Sequence, residues 1–353
     1  MSMQHLLIAG GGTGGHIAPA IAVGERASGE FRVSYACTPR PVDKLMYADI
    51  AAACQVHVMD PPRLDKGMKL VLPFTAARAL LKARKLLRST DVTVVLGTGG
   101  YSSFFAILAA RTLGIPAAIF DSNAIPGRSN RISSRFCRVA FTGLPGGKCG
   151  LECPVILTGT PVGNRLKKIS SSSAKQSAGI PQDRPVLLFL GGSQGAKAIN
   201  DLALSIRGEV SILLQCGNSD YQRVIKQAEG RSNFVVEPFV DDLSLWYSAA
   251  DLAVARSGGQ TIAELSFFEL PAVFVPYPYA AEDHQTANAE AVERVGGALV
   301  RSQKETGSSG FMKMLLQVVN STEELTAMGT AMRTLFPSNP AGEIVSNLRE
   351  LLQ

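Results

Sequence analysis

Apolar residues in this chain fall into short unbroken runs that end in glycines. Leu6-Leu7-Ile8-Ala9 runs into Gly10-Gly11-Gly12-Thr13-Gly14-Gly15, and Val186-Leu187-Leu188-Phe189-Leu190 runs into Gly191-Gly192-Ser193-Gln194-Gly195. A strand covered on both faces of a parallel sheet reads as a continuous apolar run. Followed by glycines and a helix, it opens a Rossmann-like unit. The two openings lie about 180 residues apart, which predicts two such units in tandem. Further strands are predicted at Val92 to Leu96, ending in a loop Gly97-Thr98-Gly99-Gly100, and at Ala117 to Phe120, ending at Asp121-Ser122-Asn123. In the second half, Ser211 to Gln215, Phe234 to Val236, Leu252 to Ala255 and Ala272 to Val275 read the same way. Helical patterns separate these runs, so the fold class is α/β, with doubly wound parallel sheets.

The stretch Gly159-Thr160-Pro161-Val162-Gly163 carries the crossing between domains, giving an N-terminal domain 1–162 and a second domain 163–336. The serine run Ser170 to Ser173 reads as surface loop. Phe336-Pro337-Ser338-Asn339-Pro340 is a second break. The last segment, 337–353, is then a helix from about Ala341 to Leu352, expected to pack back on the first domain.

Composition narrows the class. At 353 residues, 46% hydrophobic and 18% charged, the chain is globular, and about two domains fit its length. The most apolar stretch, Phe104 to Phe120, contains Arg111, so a transmembrane helix is not expected. The N-terminus lacks the pattern of a signal peptide, so the expected compartment is the cytoplasm. Cys37, Cys54, Cys137, Cys149, Cys153 and Cys216 then read as reduced thiols; one close pair with no second pair nearby is a poor zinc pattern. Residues 1–160 hold 18 Lys and Arg against 9 Asp and Glu, and the remainder 17 against 20. The positive charge is densest from Arg63 to Arg88, where Arg63, Lys66, Lys69, Arg78, Lys82, Arg84, Lys85 and Arg88 face one acid, Asp65. Mixed with Met68, Leu70, Val71, Leu72, Phe74, Leu80, Leu81, Leu86 and Leu87, these cations suit an anionic membrane surface, or an ordinary surface helix. No base-reading motif occurs, so nucleic acid is not an expected partner.

Gly10, Gly12 and Gly15 satisfy G-x-G-x-x-G, but the second strand ends at Tyr35-Ala36-Cys37-Thr38-Pro39 without the acid an NAD site needs. What remains is a helix N-terminus open to a diphosphate. His16 follows the loop directly, and a neutral imidazole there can take a proton. Ser193 can hydrogen-bond a phosphate. In Arg256-Ser257-Gly258-Gly259-Gln260-Thr261-Ile262-Ala263-Glu264, two glycines again precede a helix. Glu264 shares a face with Gln260 and Thr261, and a carboxylate can accept from both hydroxyls of a ribose. In Glu282-Asp283-His284-Gln285, Gln285 offers a donor and an acceptor for sugar hydroxyls. No Asp-x-Asp occurs to hold a metal on a diphosphate.

Gly11-Gly12-Thr13-Gly14-Gly15-His16, Gly97-Thr98-Gly99-Gly100-Tyr101, Gly191-Gly192-Ser193-Gln194-Gly195, Arg256-Ser257-Gly258 with Glu264, and Asp283-His284-Gln285-Thr286 stand in one order. That ordered set resembles the MurG family of bacterial UDP-N-acetylglucosamine transferases of peptidoglycan synthesis, from the first strand to the last helix. The resemblance implies a GT-B fold, two tandem Rossmann-like domains facing a cleft, the first for acceptor and membrane and the second for the donor. It implies inverting transfer of GlcNAc from UDP-GlcNAc to the C4 hydroxyl of the muramyl sugar of undecaprenyl-diphosphate-MurNAc-pentapeptide (lipid I), giving lipid II. No metal or other cofactor is implied. The expected location is peripheral, on the cytoplasmic face of the plasma membrane, with cell-wall synthesis proteins as further partners. Donor contacts map onto Thr13, Gly14, Gly15, Asn123, Ser193, Val240 beside uracil, Gly259, Gln260, Thr261, Ile262, Ala263, Glu264 on the ribose, and Gln285 on the GlcNAc hydroxyls. His16 maps onto the family's N-domain histidine, the expected base. One departure stands out: after Thr160-Pro161-Val162 the family has an arginine, and here Gly163 takes its place. Either Arg165 or Arg256 takes over the charge, or donor binding is weaker, and the contact stays unassigned. The alternatives are a GT-B enzyme with another lipid or small-molecule acceptor, a nucleotide-binding protein without turnover, and a nicotinamide dehydrogenase.

Overall fold

The computed structural model describes residues 3–60, 72–147 and 150–353. The sequence readings on Arg63, Asp65, Lys66, Met68, Lys69, Leu70, Val71 and Cys149 lie outside the described residues.

The chain divides into two units, Met1–Gly163 with Pro337–Gln353, and Asn164–Phe336. The first unit contains strands β1 (His5–Gly10), β2 (Arg32–Cys37), β3 (Gln55–Val58), β4 (Val94–Gly99), β5 (Ala117–Asp121), β6 (Val139–Thr142) and β7 (Val155–Leu157). They form one sheet in the order β3-β2-β1-β4-β5-β6-β7, and every pairing is parallel. The second unit contains β8 (Val186–Leu190), β9 (Ser211–Gln215), β10 (Phe234–Glu237), β11 (Leu252–Ala255), β12 (Ala272–Phe274) and β13 (Ala298–Val300). Its order is β10-β9-β8-β11-β12-β13, again all parallel. Both are Rossmann strand orders, which reverse direction between β1 and β4 and between β8 and β11. Ligands of such sheets bind outside the carboxyl ends of the strands at that reversal.

The apolar runs are buried because helices cover both faces. Leu6 and Ile8 face one core with Val94, Leu96 and Phe141, while Leu7 and Ala9 face another with Val95, Ala106 and Ile107. Ile344, Val345 and Leu348 of the last helix, Pro340–Glu350, enter the first of these cores beside Ile17 and Val23. The second unit buries Leu187, Phe189, Ile212, Leu214 and Val254 in the same manner.

Two local readings change. Gly97-Thr98-Gly99 is not loop but the end of β4, and the helix Gly100–Leu113 follows at once. Gly97 pairs with Ala9 and Ile119, and a Cβ there would sit 2.2 Å from Ser103 Oγ. Glycine at that position therefore lets the helix lie against the strand. The serine run is not loop either. Ser170 Oγ accepts from Ser173 N at 3.2 Å, capping a helix Ser171–Ser177. Serines favour loops and caps for the same reason, a hydroxyl close to the backbone, and here the cap prevails.

Candidate active site

In the first unit the site is built at the carboxyl ends of β1 and β4. Thr13 is the N-cap of the helix Gly14–Ala27, but its side chain makes no capping bond, and the first turn carries no acid. Cβ atoms added at Gly14 or Gly15 would meet only Met46 Sδ, at 3.6 Å from Gly14, so this turn opens on free space. The early amides of a helix have no partners within it and suit an anion.

His16 sits in that turn, half-buried, with Nδ1 3.2 Å from the Gly11 carbonyl. A carbonyl only accepts, so Nδ1 carries the proton and Nε2 keeps a lone pair. The second glycine motif forms the wall of this imidazole. Gly99 and Gly100 have φ of +117° and +85°. A Cβ at Gly99 would lie 2.7 Å from His16 Cδ2, and one at Gly100 would lie 2.7 Å from the Gly11 carbonyl oxygen. Thr98 Oγ1 donates to the His16 carbonyl at 2.8 Å. Both glycine motifs thus converge on His16.

Asp43 escaped the sequence reading. It is fully buried, and it accepts from Gly12 N at 2.9 Å and from Thr38 N at 2.7 Å. It braces the glycine loop against the end of β2, so it is not free to hold a nicotinamide ribose. In sequence it looked like an ordinary acid in a first helical turn after Pro41. Asn123 is held by Asp121, whose Oδ1 accepts from Asn123 N and Nδ2, both at 3.0 Å. The same buried carboxylate accepts from Gly127 N and Asn130 Nδ2.

In the second unit Gly192 and Gly195 take φ of +86° and +73°. A Cβ on Gly195 would fall 2.0 Å from the Cys216 carbonyl oxygen, which restricts the position to glycine. Ser193 is exposed at the tip of this loop, and the next helix begins only at Lys197. Gln215, buried at the end of β9, ties Val240 to the glycine loop that carries Ser193. Its Oε1 accepts from Val240 N at 3.0 Å and its Nε2 donates to the Gly192 carbonyl at 3.3 Å. The loop after β11 lies beside the one after β8, since Arg256 N donates to the Leu190 carbonyl.

The helix Gly259–Phe268 begins there, again without an acid in its first turn. Gln260, Thr261 and Glu264 lie on its half-buried face. Ile262 and Ala263 do not; they are core residues at 0% and 1% exposure, and the Ile262 amide is spent on the Gly258 carbonyl. Neither side chain is open to a ligand, and nor is the Ile262 amide. Glu264 accepts from Tyr247 Oη at 2.7 Å through Oε2 and from Gln260 Nε2 at 3.0 Å through Oε1. Burial pushes its carboxyl above the ordinary range, and these two hydrogen bonds oppose the shift. Ser257 links Gln285 to the same corner: its Oγ donates to the Gln285 carbonyl at 2.7 Å, and its own carbonyl accepts from Asn288 Nδ2 at 3.0 Å. Gln285 Oε1 accepts from Tyr277 N, which leaves the amide NH2 for a donor role.

A depression of about 670 Å³ in this unit is lined by Lys175, Pro185, Asp251 and Pro271 at the opposite, amino ends of the strands. Strand-end geometry places the chemistry elsewhere, at the carboxyl ends. Among the described residues no group of three or more His, Cys, Asp or Glu is placed to hold a metal ion.

Residues 6–142 match the glycosyltransferase family 28 N-terminal domain, and residues 186–341 match its C-terminal domain. A transferase from Nitratidesulfovibrio vulgaris, named UDP-N-acetylglucosamine--N-acetylmuramyl-(pentapeptide) pyrophosphoryl-undecaprenol N-acetylglucosamine transferase, is 34% identical over 99% of this chain and 98% of its own. One of the same name from Synechococcus elongatus is 33% identical over 100% and 99%. The crystal structure of Acinetobacter baumannii MurG superposes with a TM-score of 0.78 at 28% identity, covering 98% of this chain and 99% of that one. Two Rossmann-ordered units, each opening a glycine loop and an acid-free helix end at its strand reversal, define a glycosyltransferase of the GT-B class. Within that class the chain belongs to the MurG family of glycosyltransferase family 28.

Proposed function

We propose that this chain transfers GlcNAc from UDP-GlcNAc to the C4 hydroxyl of MurNAc in undecaprenyl-diphosphate-MurNAc-pentapeptide, lipid I, and so forms lipid II for peptidoglycan. It is a UDP-GlcNAc-dependent glycosyltransferase. The hydroxyl oxygen bonds to the anomeric carbon on the face opposite UDP, inverting it, and the bond from that carbon to the diphosphate oxygen breaks. The hydroxyl proton passes to His16 Nε2, and the bonding pair leaves on UDP. The observation that carries this reading is the pinned imidazole. Nδ1 is fixed on the Gly11 carbonyl at 3.2 Å, so the basic nitrogen is the one left to the acceptor.

The departing diphosphate is met by amides, by Ser193 and by the helix end at Gly259 to Thr261, whose first turn has no acid to cancel its positive pole. Thr13, Gly14, Gly15 and Asn123 complete the donor contacts from the first unit. Val240 lies beside uracil, Glu264 takes the ribose hydroxyls, and Gln285 takes the GlcNAc hydroxyls. Gly259 contributes backbone, while Ile262 and Ala263, buried in the core, support that turn rather than meet the ligand. The domain 1–162 serves the acceptor and 163–336 the donor, with 337–353 completing the first.

The acceptor carries a lipid, and the helix Leu72–Ser89 supports a peripheral site on the anionic cytoplasmic face of the plasma membrane. Ala79, Ala83 and Leu87 bury one stripe, while Phe74 and Leu81 remain 79% and 65% exposed among Arg78, Lys82, Lys85 and Arg88. Among the described residues no helix is long and apolar enough to cross a membrane. Cell-wall synthesis proteins are the further partners.

The test is His16→Ala, assayed for GlcNAc transfer to lipid I and by calorimetric titration with UDP. Turnover should fall by roughly 10²–10⁴-fold, the worth of a positioned base, while UDP affinity holds. Loss of UDP affinity by the same factor removes the base assignment.

A further inference from the structure

Glu264 is held at both of its oxygens, and the partners come from different elements. Gln260 lies one turn before it on the same helix, and its Nε2 donates to Oε1 at 3.0 Å. Tyr247 comes from a separate short helix, Ser244–Ala249, and its hydroxyl donates to Oε2 at 2.7 Å. The Tyr247 ring is 2% exposed and lies 5.1 Å from the Phe268 ring at 37°, while its amide donates to the Leu243 carbonyl. Two packed surfaces thus fix the phenol, and burial holds its ionisation well above the ordinary range, so it stays a donor throughout the working pH.

An ionised carboxylate has about four lone-pair sites, two on each oxygen. Tyr247 takes one on Oε2 and Gln260 one on Oε1. One site on each oxygen is left, which matches two neighbouring hydroxyls on one sugar ring. The two internal donors also set the rotation of the carboxylate plane, which a half-buried glutamate with three rotatable bonds does not otherwise fix. Without them, burial favours the protonated form, which loses an acceptor site to its own O–H.

We propose that Tyr247 is a positioning residue for donor recognition, aligning the free lone pairs of Glu264 with the ribose 2′ and 3′ hydroxyls; this rests on the ribose role given to Glu264 above. Tyr247 touches no substrate. Its work is selectivity for a ribonucleoside diphosphate over a deoxyribonucleoside diphosphate.

The experiment titrates UDP, 2′-deoxy-UDP and 3′-deoxy-UDP into the full-length wild type, Tyr247→Phe and Glu264→Gln, with KM and kcat for UDP-GlcNAc measured alongside. Phenylalanine keeps the ring and its stacking on Phe268, so folding is preserved, and thermal unfolding checks it. The expected result is that Tyr247→Phe raises KM about tenfold with kcat within about twofold, and lowers the preference for UDP over both deoxy ligands by a similar factor, as one lost charge-assisted hydrogen bond implies. Glu264→Gln should lower that preference at least as far. If Glu264→Gln lowers it and Tyr247→Phe does not, the positioning role is wrong and the ribose contact stands. If Tyr247→Phe weakens all three ligands equally, its role is structural and the proposal fails. If Glu264→Gln leaves the preference intact, the ribose contact itself fails and the proposal falls with it.

Discussion

The convergence of two glycine motifs on one imidazole makes Gly99→Ala the most informative single change. Gly99 has φ +117° and ψ 168°, a conformation close to glycine-only, so alanine there costs about 1–3 kcal/mol in strain. The new methyl would also start 2.7 Å from His16 Cδ2 and 2.8 Å from Nε2. Carbon atoms rest about 3.5–4.0 Å apart, so the ring must retreat by about 1 Å. A 1 Å misplacement of a catalytic group costs roughly 10²-fold, close to 2.7 kcal/mol of barrier. Gly114→Ala separates the two effects. Gly114 also has positive φ, +72°, but a Cβ there has nothing within 4 Å. It should lose stability to strain by about 1–2 kcal/mol and keep its turnover. The assay is steady-state transfer to a soluble lipid I analogue, with UDP titration and thermal unfolding of both variants. Turnover of Gly99→Ala within about threefold of Gly114→Ala would refute the wall reading. So would a fall in UDP affinity that tracks the fall in turnover.

Three further outcomes are expected. Asp43→Ala removes two charge-assisted hydrogen bonds to Gly12 N and Thr38 N from a fully buried site. It should cost about 3–5 kcal/mol in a denaturant titration; a loss below 1 kcal/mol would show the loop is held by other means. The Glu264 carboxyl is raised by burial, so the stability it contributes is fully present below the ordinary carboxylate pKa and is lost as pH rises through the raised value. Glu264→Gln should therefore unfold no lower than wild type at pH 7, with the difference vanishing on acidification, while UDP affinity falls; unfolding at lower temperature at pH 7 contradicts this. Exposed Phe74 and Leu81 should anchor the helix Leu72–Ser89 on anionic vesicles. Changing both to serine should abolish co-sedimentation without altering UDP binding, and unchanged sedimentation would move the membrane contact elsewhere.

The glycine loops were legible because their cause is local. A chain that must turn sharply with φ positive, or let a strand and helix touch, needs glycine wherever it occurs. Gly99, Gly192 and Gly195 are such positions. Their neighbours were legible less exactly. Gly97 and Gly99 read as loop because glycine marks turns, yet in β4 they pair with β1, where the absence of a side chain serves packing. The braces were not legible at all. Asp43 lies 31 residues from Gly12, Tyr247 lies 17 from Glu264, and Gln215 lies 25 from Val240. Each joins separate segments of the chain, and nothing in the local pattern distinguishes such an acid, tyrosine or glutamine from a cap, a core ring or a surface amide.

The glycine at position 163 sharpens the question of charge. Both candidate arginines are already engaged within the second unit. Arg165 is exposed and paired with Asp241 at 2.8 Å. Arg256 is buried, and its guanidinium donates to the carbonyls of Val275 and Pro276 and to Gln303 Oε1. All of those partners are neutral, and the ring of Tyr277 lies 5.5 Å from it. Burial lowers its pKa, yet a guanidinium starts so far above neutrality that it stays charged. A full positive charge is thus fixed within the second unit at the start of the loop that leads to Gly258 and Gly259, and among the described residues no carboxylate contacts it. In a site drier than water that charge acts over several ångströms without touching its target. It adds to the acid-free helix end, which offers only about half a charge of its own. At the diphosphate position proposed above, the charge that one arginine would meet by contact would instead meet a field from these two fixed sources. Such an arrangement would need no side-chain movement as the proposed UDP leaves.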